Sequence, residues 1–118
     1  MSCNKVLGNL FFSLDGQNYE TVTGTGELMF GGAERKPLIG SSGKVFVTEE
    51  LKEATLKVTF IATNTINRRA LNQVCGVAAT FEGDDGVVYQ LQNVTAKGNG
   101  GVKAGEGKFE LEFFGEMA

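Results

Sequence analysis

The sequence predicts a mainly β fold, a β-sandwich or partly closed antiparallel barrel with one short α-helix. Alternation of apolar and polar residues with period two recurs in segment after segment. Two Asp-Gly pairs sit between alternating runs, where tight hairpin turns belong. Glycine is abundant and proline nearly absent, 17 residues against one in 118, which fits a chain of many turns and bulges rather than a low-complexity linker. This length defaults to one domain, residues 1–118, and suffices for a core without disulfide or metal staples.

Each element has its own signal. Asn9 to Leu14 places Leu10, Phe12 and Leu14 on one face, and Asp15-Gly16 turns the chain into a β-branched return over Tyr19 to Thr23. Lys44 to Thr48 resumes strand character, and in Thr55 to Ala62 the residues Leu56, Val58, Phe60 and Ala62 alternate with Thr55, Lys57 and Thr59. Between about 64 and 75 the period changes. Ile66, Ala70 and Val74 recur at four-residue spacing beside Leu71, with Asn64 or Thr65 as N-cap and Gly76 as C-terminal glycine, which reads as a helix of about ten residues. Arg68, Arg69, Asn72 and Gln73 are expected to face out. Strands return with Val77, Ala79 and Phe81, then Val87, Tyr89 and Leu91 after the turn Gly83-Asp84-Asp85-Gly86. A second glycine-rich loop covers 98–107, and Phe109, Leu111 and Phe113 alternate with Lys108, Glu110 and Glu112 at the end. This counts as seven or eight strands.

Residues 24–44 stand apart as a long flexible arm. Six of these twenty-one residues are glycine, and the chain's single proline is among them. Structureless loops longer than about 12–15 residues are uncommon in compact domains and are usually functional or disordered. This one carries Leu28, Met29, Phe30, Leu38 and Ile39, and burying such a side chain fully is worth about 1.5–3 kcal/mol. The arm is therefore expected to be received by another protein surface through Leu28, Met29, Phe30, Arg35, Lys36, Leu38 and Ile39. That points to assembly rather than catalysis.

The chemistry of the remaining residues excludes several classes. There is no histidine, hence no Ser-His-Asp or Cys-His nucleophile in its usual form, and Cys3 and Cys75 stand too far apart for a zinc site. A structural disulfide between them is not expected; one thiol is expected exposed near the N-terminus and the other buried as a small hydrophobe. Gly40-Ser41-Ser42-Gly43-Lys44-Val45 has the look of a phosphate loop but lacks the first glycine of that motif, where Leu38 stands, and its metal-binding hydroxyl, where Val45 stands. Asp84-Asp85 reads as a solvated hairpin tip, and Glu110 with Glu112 as an exposed strand face rather than a glycosidase pair. No catalytic residue, metal or cofactor is expected. The net charge of −3 and the absence of a basic run longer than two residues argue against a dedicated nucleic-acid binder. No apolar stretch is long enough to span a membrane, and no secretory signal is evident.

Taken in order, these features resemble the tail tube proteins of Mu-like contractile-tailed bacteriophages. The resemblance runs over nearly the whole chain: Asp15-Gly16 with Tyr19, the arm with Arg35 and Ile39-Gly40, Gly43-Lys44, Thr48-Glu49, the strand Leu56–Phe60 and the helix at Leu71. It continues through Thr80-Phe81-Glu82, Asp85-Gly86, Val88-Tyr89, Leu91, Asn93 and Glu106-Gly107 to Phe113-Phe114-Gly115. The 98–107 stretch departs from it in its glycine content. The resemblance implies a fold shared with the type VI secretion tube protein. It also implies hexameric rings stacked into a tube inside a contractile sheath, with DNA passing through the lumen at ejection. Sheath, tape measure, baseplate and terminator proteins would be the partners, the virion tail the location and the host cytoplasm the place of assembly, with no membrane. The arm would order on stacking. The bore would avoid basic tracks that hold phosphate, and Gln90 and Gln92, or Glu110 and Glu112, are candidates to line it. Two other readings stand beside this one. The first is a tube component of a tailocin or type VI-like system. The second is a small β-sandwich binding module, which would need a concave pocket of convergent polar groups that the sequence does not supply.

Overall fold

A computed structural model describes residues 5–118. Its strands are β1 (Leu10–Leu14), β2 (Gln17–Tyr19), β3 (Glu27–Met29), β4 (Gly32–Ile39), β5 (Val45–Lys52), β6 (Ala54–Ile61), β7 (Val77–Gly83), β8 (Val88–Ala96) and β9 (Lys108–Met117), with one helix, α1 (Arg68–Leu71). Seven strands form one antiparallel sheet in the order β2-β1-β7-β8-β9-β6-β3, and β4 and β5 form a separate two-stranded ribbon. The expected fold class is borne out: a mainly β, sandwich-like body with one short helix.

The alternation read from the sequence is the alternation of burial. Leu10, Phe12 and Leu14 of β1, Leu56, Val58 and Phe60 of β6, Ala79 and Phe81 of β7, and Phe109, Leu111 and Phe113 of β9 all point into one core. A bulge in β8 between Gln92 and Thr95, with Asn93 at φ 55°, resets the phase so that Leu91 and Val94 both turn inward. Phe12 lies at the centre, its ring 5.1 Å from Phe81, 5.7 Å from Phe60 and 5.9 Å from Phe113. Such aromatic contacts are worth about 0.5–1.5 kcal/mol each beyond area burial.

The sheet curls until the segment that follows β2 reaches β6. Beyond β2 the chain crosses to β6, where the Val22 N–H donates to the Thr59 carbonyl (3.0 Å) and the Ile61 N–H to the Glu20 carbonyl (3.1 Å). Thr21 and Phe60 form the single bridge pair at this seam, so the barrel is not closed. Three hairpins use two turn designs. Asp15 and Gly16 both have positive φ, 51° and 79°, as the two-residue turn between β1 and β2 demands. At Gly83-Asp84-Asp85-Gly86 the Gly86 N–H donates to the Gly83 carbonyl and the Gly83 N–H to the Val87 carbonyl. Gly40 to Gly43 repeats this pattern, with the Gly43 N–H on the Gly40 carbonyl and the Gly40 N–H on the Lys44 carbonyl. The segment that looked like a phosphate loop is therefore a hairpin tip.

Several sequence expectations are corrected. The helix has four residues, not about ten: Asn67 Oδ1 accepts from the Ala70 N–H (3.1 Å), so the cap falls after Asn64 and Thr65. The turn then ends at Asn72, and Gly76 is not its cap but donates its N–H to Thr95 Oγ1 (3.2 Å). Ile66 and Val74 still pack on the core from flanking turns, while Arg68 is half-buried rather than facing out. Nine strands replace seven or eight, because the arm is mostly strand: β3 extends the main sheet and β4 is half of the ribbon. Cys75 is exposed, because it follows the end of the helical turn outside the core; Cys3 lies outside the described residues.

One surface carboxylate ties the start of the described chain to this frame. Asp84 Oδ1 accepts the Gly8 N–H at 3.0 Å, and the Asp84 N–H donates to the Asn9 carbonyl. The Gly8 N–H on the carboxylate outweighs its partial desolvation and holds the Asp84 carboxyl below its ordinary pKa. A depressed carboxylate contributes stability that is present above its unfolded value and lost as pH falls through its folded value. The Gly8 amide is therefore expected to be protected from hydrogen exchange at neutral pH and to lose protection in acid below about pH 4. In Asp84→Asn the protection should be weak at both pH values, as amide-resolved exchange would report.

Candidate functional site

The ribbon of β4 and β5 has no core of its own. All sixteen of its residues, eight in each strand, are exposed. The molecule measures 63 × 45 × 27 Å with a radius of gyration of 17.8 Å. A compact chain of this length would have about 13.5 Å, and the projecting ribbon contributes to the difference. Eight residues of strand reach about 27 Å.

The register divides the ribbon into two unlike faces. Cross-strand partners share a face, so Ile39 with Val45, Pro37 with Val47, Arg35 with Glu49, and Ala33 with Leu51 lie on one side. That side is apolar except for the Arg35–Glu49 ion pair, Nε to Oε1 at 3.1 Å. Leu38 with Phe46, Lys36 with Thr48, Glu34 with Glu50, and Gly32 with Lys52 lie on the other. There Lys44 reaches over the Phe46 ring at 5.5 Å, and Lys52 Nζ bonds Glu50 at 3.3 Å, which raises the Lys52 pKa. Pro37 is tolerated because β4 is an edge strand. The Gly40–Lys44 bond sets the alternation of bonded and non-bonded pairs, and Pro37 falls on a non-bonded pair, where a missing N–H would have faced solvent.

The base of the ribbon is tightly specified. Gly31 and Gly32 have φ of 70° and 85°, and a Cβ on Gly31 would lie 2.5 Å from the Glu53 carbonyl. No other residue fits where the two strands leave the body. Phe30 rests its ring against Tyr89 at 5.5 Å. Of the arm residues singled out from sequence, Leu28 belongs to the body, paired with Leu56 and packed on the core. Met29 and Phe30 are exposed at the base, Arg35 and Lys36 sit midway on opposite faces, and Leu38 and Ile39 sit near the tip on opposite faces. The sequence reading missed the other half of the ribbon, Val45, Phe46, Val47 and Leu51. The signal was the Gly-X-X-Gly at 40–43, which matches 83–86 and stands between two runs of similar length.

The remaining candidates lie on the outer surface of the main sheet. Gln90 and Gln92 are exposed on β8, with Gln92 opposite Glu116 of β9. Glu110 and Glu112 lie nearer the other end of β9, so the structure does not bring the two pairs together. Neither glutamate is bare: Lys57 Nζ lies 3.6 Å from Glu110 and Lys97 Nζ 3.4 Å from Glu112. Two clefts of about 550 and 620 Å³ are open grooves on either side of Tyr19 and Glu20. Among the described residues no three His, Cys, Asp or Glu side chains gather as metal ligands, and no helix is long and apolar enough to cross a membrane.

A body with a finished core thus bears a ribbon whose residues are all exposed. The family model of phage tail tube proteins matches residues 3–118, and the chain belongs to that family, whose members are structural proteins and not enzymes. The resemblance read from the sequence is thereby borne out at the level of the family. A search of curated proteins by sequence finds no match. Among solved structures the fold is similar to a chain of the sheath-tube complex of an extracellular contractile injection system (PVC) in its extended state. That match has TM-score 0.64 and 10% identity over 92% of this chain and 84% of that one. It is also similar to the tube-terminating cap of the anti-feeding prophage, with TM-score 0.69 and 8% identity over 98% and 91%. The PVC sheath/tube terminator gives 0.70 and 10% over 98% and 94%.

The geometry predicts that the ribbon is dispensable for folding. Replacing 33–51 by a two-residue Asn-Gly turn should leave a folded body whose unfolding free energy is within about 0.5 kcal/mol of the parent, the usual range for surface changes. Denaturant titration checks this.

Proposed function

We propose that this chain is the repeating subunit of a contractile tail tube. Six copies close into a ring, rings stack into a hollow tube inside a sheath, and DNA passes along the bore at ejection. The observation that carries the reading is the β4–β5 ribbon, exposed on both faces and projecting from a body of the tail tube family. An isolated two-stranded ribbon is marginal in water. Six exposed apolar side chains on it, Leu38, Ile39, Val45, Phe46, Val47 and Leu51, favour a protein partner that covers them. A second copy supplies that partner in a head-to-tail contact, which propagates instead of closing. The open edges of β2 and β3 are the natural places for neighbours within a ring to add strands.

The similarity to tube, cap and terminator chains of contractile injection systems supports a sheath around the tube and a terminator at its end. Tape measure and baseplate proteins complete the partners the family implies, with assembly in the host cytoplasm and function in the virion tail. The same similarity favours one second reading, a tube of a tailocin or secretion-type device that carries no genome; purified particles containing DNA would exclude it.

Electron microscopy of the concentrated protein should show rings or hollow tubes with sixfold end views, and the ribbon-truncated variant should give neither. Tubes of normal length from the truncated variant would remove the ribbon from the mechanism.

The bore is assigned to the outer sheet surface, with Gln90, Gln92, Glu110 and Glu112 among its lining. Gln90 and Gln92 make the cleaner test, because reversing the glutamates would also repel Lys57 and Lys97. Gln90→Lys with Gln92→Lys should leave tubes intact and slow DNA ejection, since added phosphate contacts bring drag. Unchanged ejection kinetics would place these residues outside the bore.

A further inference from the structure

We infer that the Arg68–Arg69 end of the body is the receptor for the ribbon of a second copy, with the two guanidiniums binding its Glu34–Glu50 pair. The inference rests on the self-assembly reading and adds to it the address of the contact.

Position is the first argument. The ribbon leaves the body where Gly31 meets Glu53 and Ala54, and Ala54 pairs with Gly115 near the end of β9. The turn α1 sits near the opposite end of the same strand. Arg68 lies over the Phe109 ring at 6.0 Å, and the Gly100 N–H donates to Asn72 Oδ1 at 3.0 Å. Phe109 and Gly115 are about 20 Å apart along an extended strand. Donor and receptor thus lie at opposite ends of one ladder, as a propagating head-to-tail contact requires.

Unmet charge is the second argument. Among the described residues neither Arg68 nor Arg69 has an ion-pair partner. Arg68 Nη2 donates to the Thr63 carbonyl at 3.3 Å, but its Nε is buried with no acceptor. That Nε is closed to an arriving side chain, so a carboxylate from a second copy would meet the terminal nitrogens and the exposed Arg69, and a guanidinium is the group best shaped to take it. On the ribbon, Glu34 and Glu50 stand directly opposite each other, an arrangement that is destabilising for like charges. Lys52 bonds Glu50 and acts on Glu34 only at longer range, and among the described residues Glu34 has no ion pair of its own. Glu34 is thus the carboxylate of this face with most to gain from an arriving guanidinium.

Apolar matching runs alongside. The ribbon face that carries Glu34 and Glu50 also carries Leu38 and Phe46 toward the tip. Beside the arginines, Val102 is 65% exposed at the rim of a cleft of about 120 Å³ floored by Phe109 and Leu111.

Charge exchange tests the contact. Arg69 and Glu34 are both exposed, so Arg69→Glu and Glu34→Arg should melt like the parent while each lowers the yield of sedimentable tubes at least tenfold. The double variant Glu34→Arg/Arg69→Glu should recover most of the yield. Parental yield from Arg69→Glu, or a double variant no better than the singles, would overturn the receptor assignment and leave self-assembly standing. A parent chain that forms no tubes would instead count against self-assembly alone. The contact is then read on the chain carrying Cys3→Ser, Cys75→Ser, Glu34→Cys and Arg69→Cys, oxidised at high concentration. A ladder of disulfide-linked oligomers on a non-reducing gel supports the pairing, and monomer alone overturns it.

Discussion

The interlocked ring stack around Phe12 is the contact on which the rest of the subunit depends. It joins β1, β6, β7 and β9, strands that come from widely separated parts of the chain, and it lets one seven-stranded sheet curl until Thr21, just beyond β2, meets Phe60 of β6. Neither edge strand exceeds three residues, so backbone pairing at the rims contributes little and side-chain burial must hold the curl. Because this core is complete within the body, the ribbon is free of any folding duty. A chain that needed β4 and β5 to finish its core could not also present both of their faces to another molecule.

That division of labour explains where the sequence was legible. Period-two alternation is the trace of one buried and one solvated face, so β1, β6, β7 and β9 could be read almost residue by residue. The ribbon has no buried face. Gly-Ala-Glu-Arg-Lys-Pro-Leu-Ile therefore shows no alternation, and Pro37 reads as a breaker until the edge position of β4 is known. The helix was overextended because Ile66, Ala70 and Val74 keep helical spacing, although only Ile66 and Val74 reach the core and they do so from turns. The cap at Asn67 decided its start, and no sequence signal ranks Asn67 above Asn64.

The candidate surface was legible in kind but not in outline. An apolar, glycine-hinged arm could be recognised, and six of its seven named contact residues, Met29, Phe30, Arg35, Lys36, Leu38 and Ile39, stand exposed as an interaction surface requires. Leu28 was misplaced because alternation in a three-residue strand such as β3 is too short to detect. Which side chains share a face depends on the register at Gly40–Lys44, and nothing short of the turn geometry sets it. The separation of Gln90 and Gln92 from Glu110 and Glu112 follows from the β8–β9 register, which sets Gln92 opposite Glu116 and which composition does not reveal.

The ribbon's weakness as an isolated element bears on how assembly is controlled. Its unpaired apolar face is attracted to any similar surface, and two identical edges can pair with one another by mistake. Pro37 removes a donor from the free edge of β4, so pairing through that edge is discouraged, while the Arg35–Glu49 pair interrupts the apolar face at its middle. The opposite face alternates in charge, with Glu34 and Glu50 set between Lys36 and Lys52, so its sign alone does not keep two ribbons apart. The proline at the free edge and the ion pair within the apolar face are what weaken self-pairing, and a contact between unlike surfaces extends into a filament where a contact between like ones stops at two.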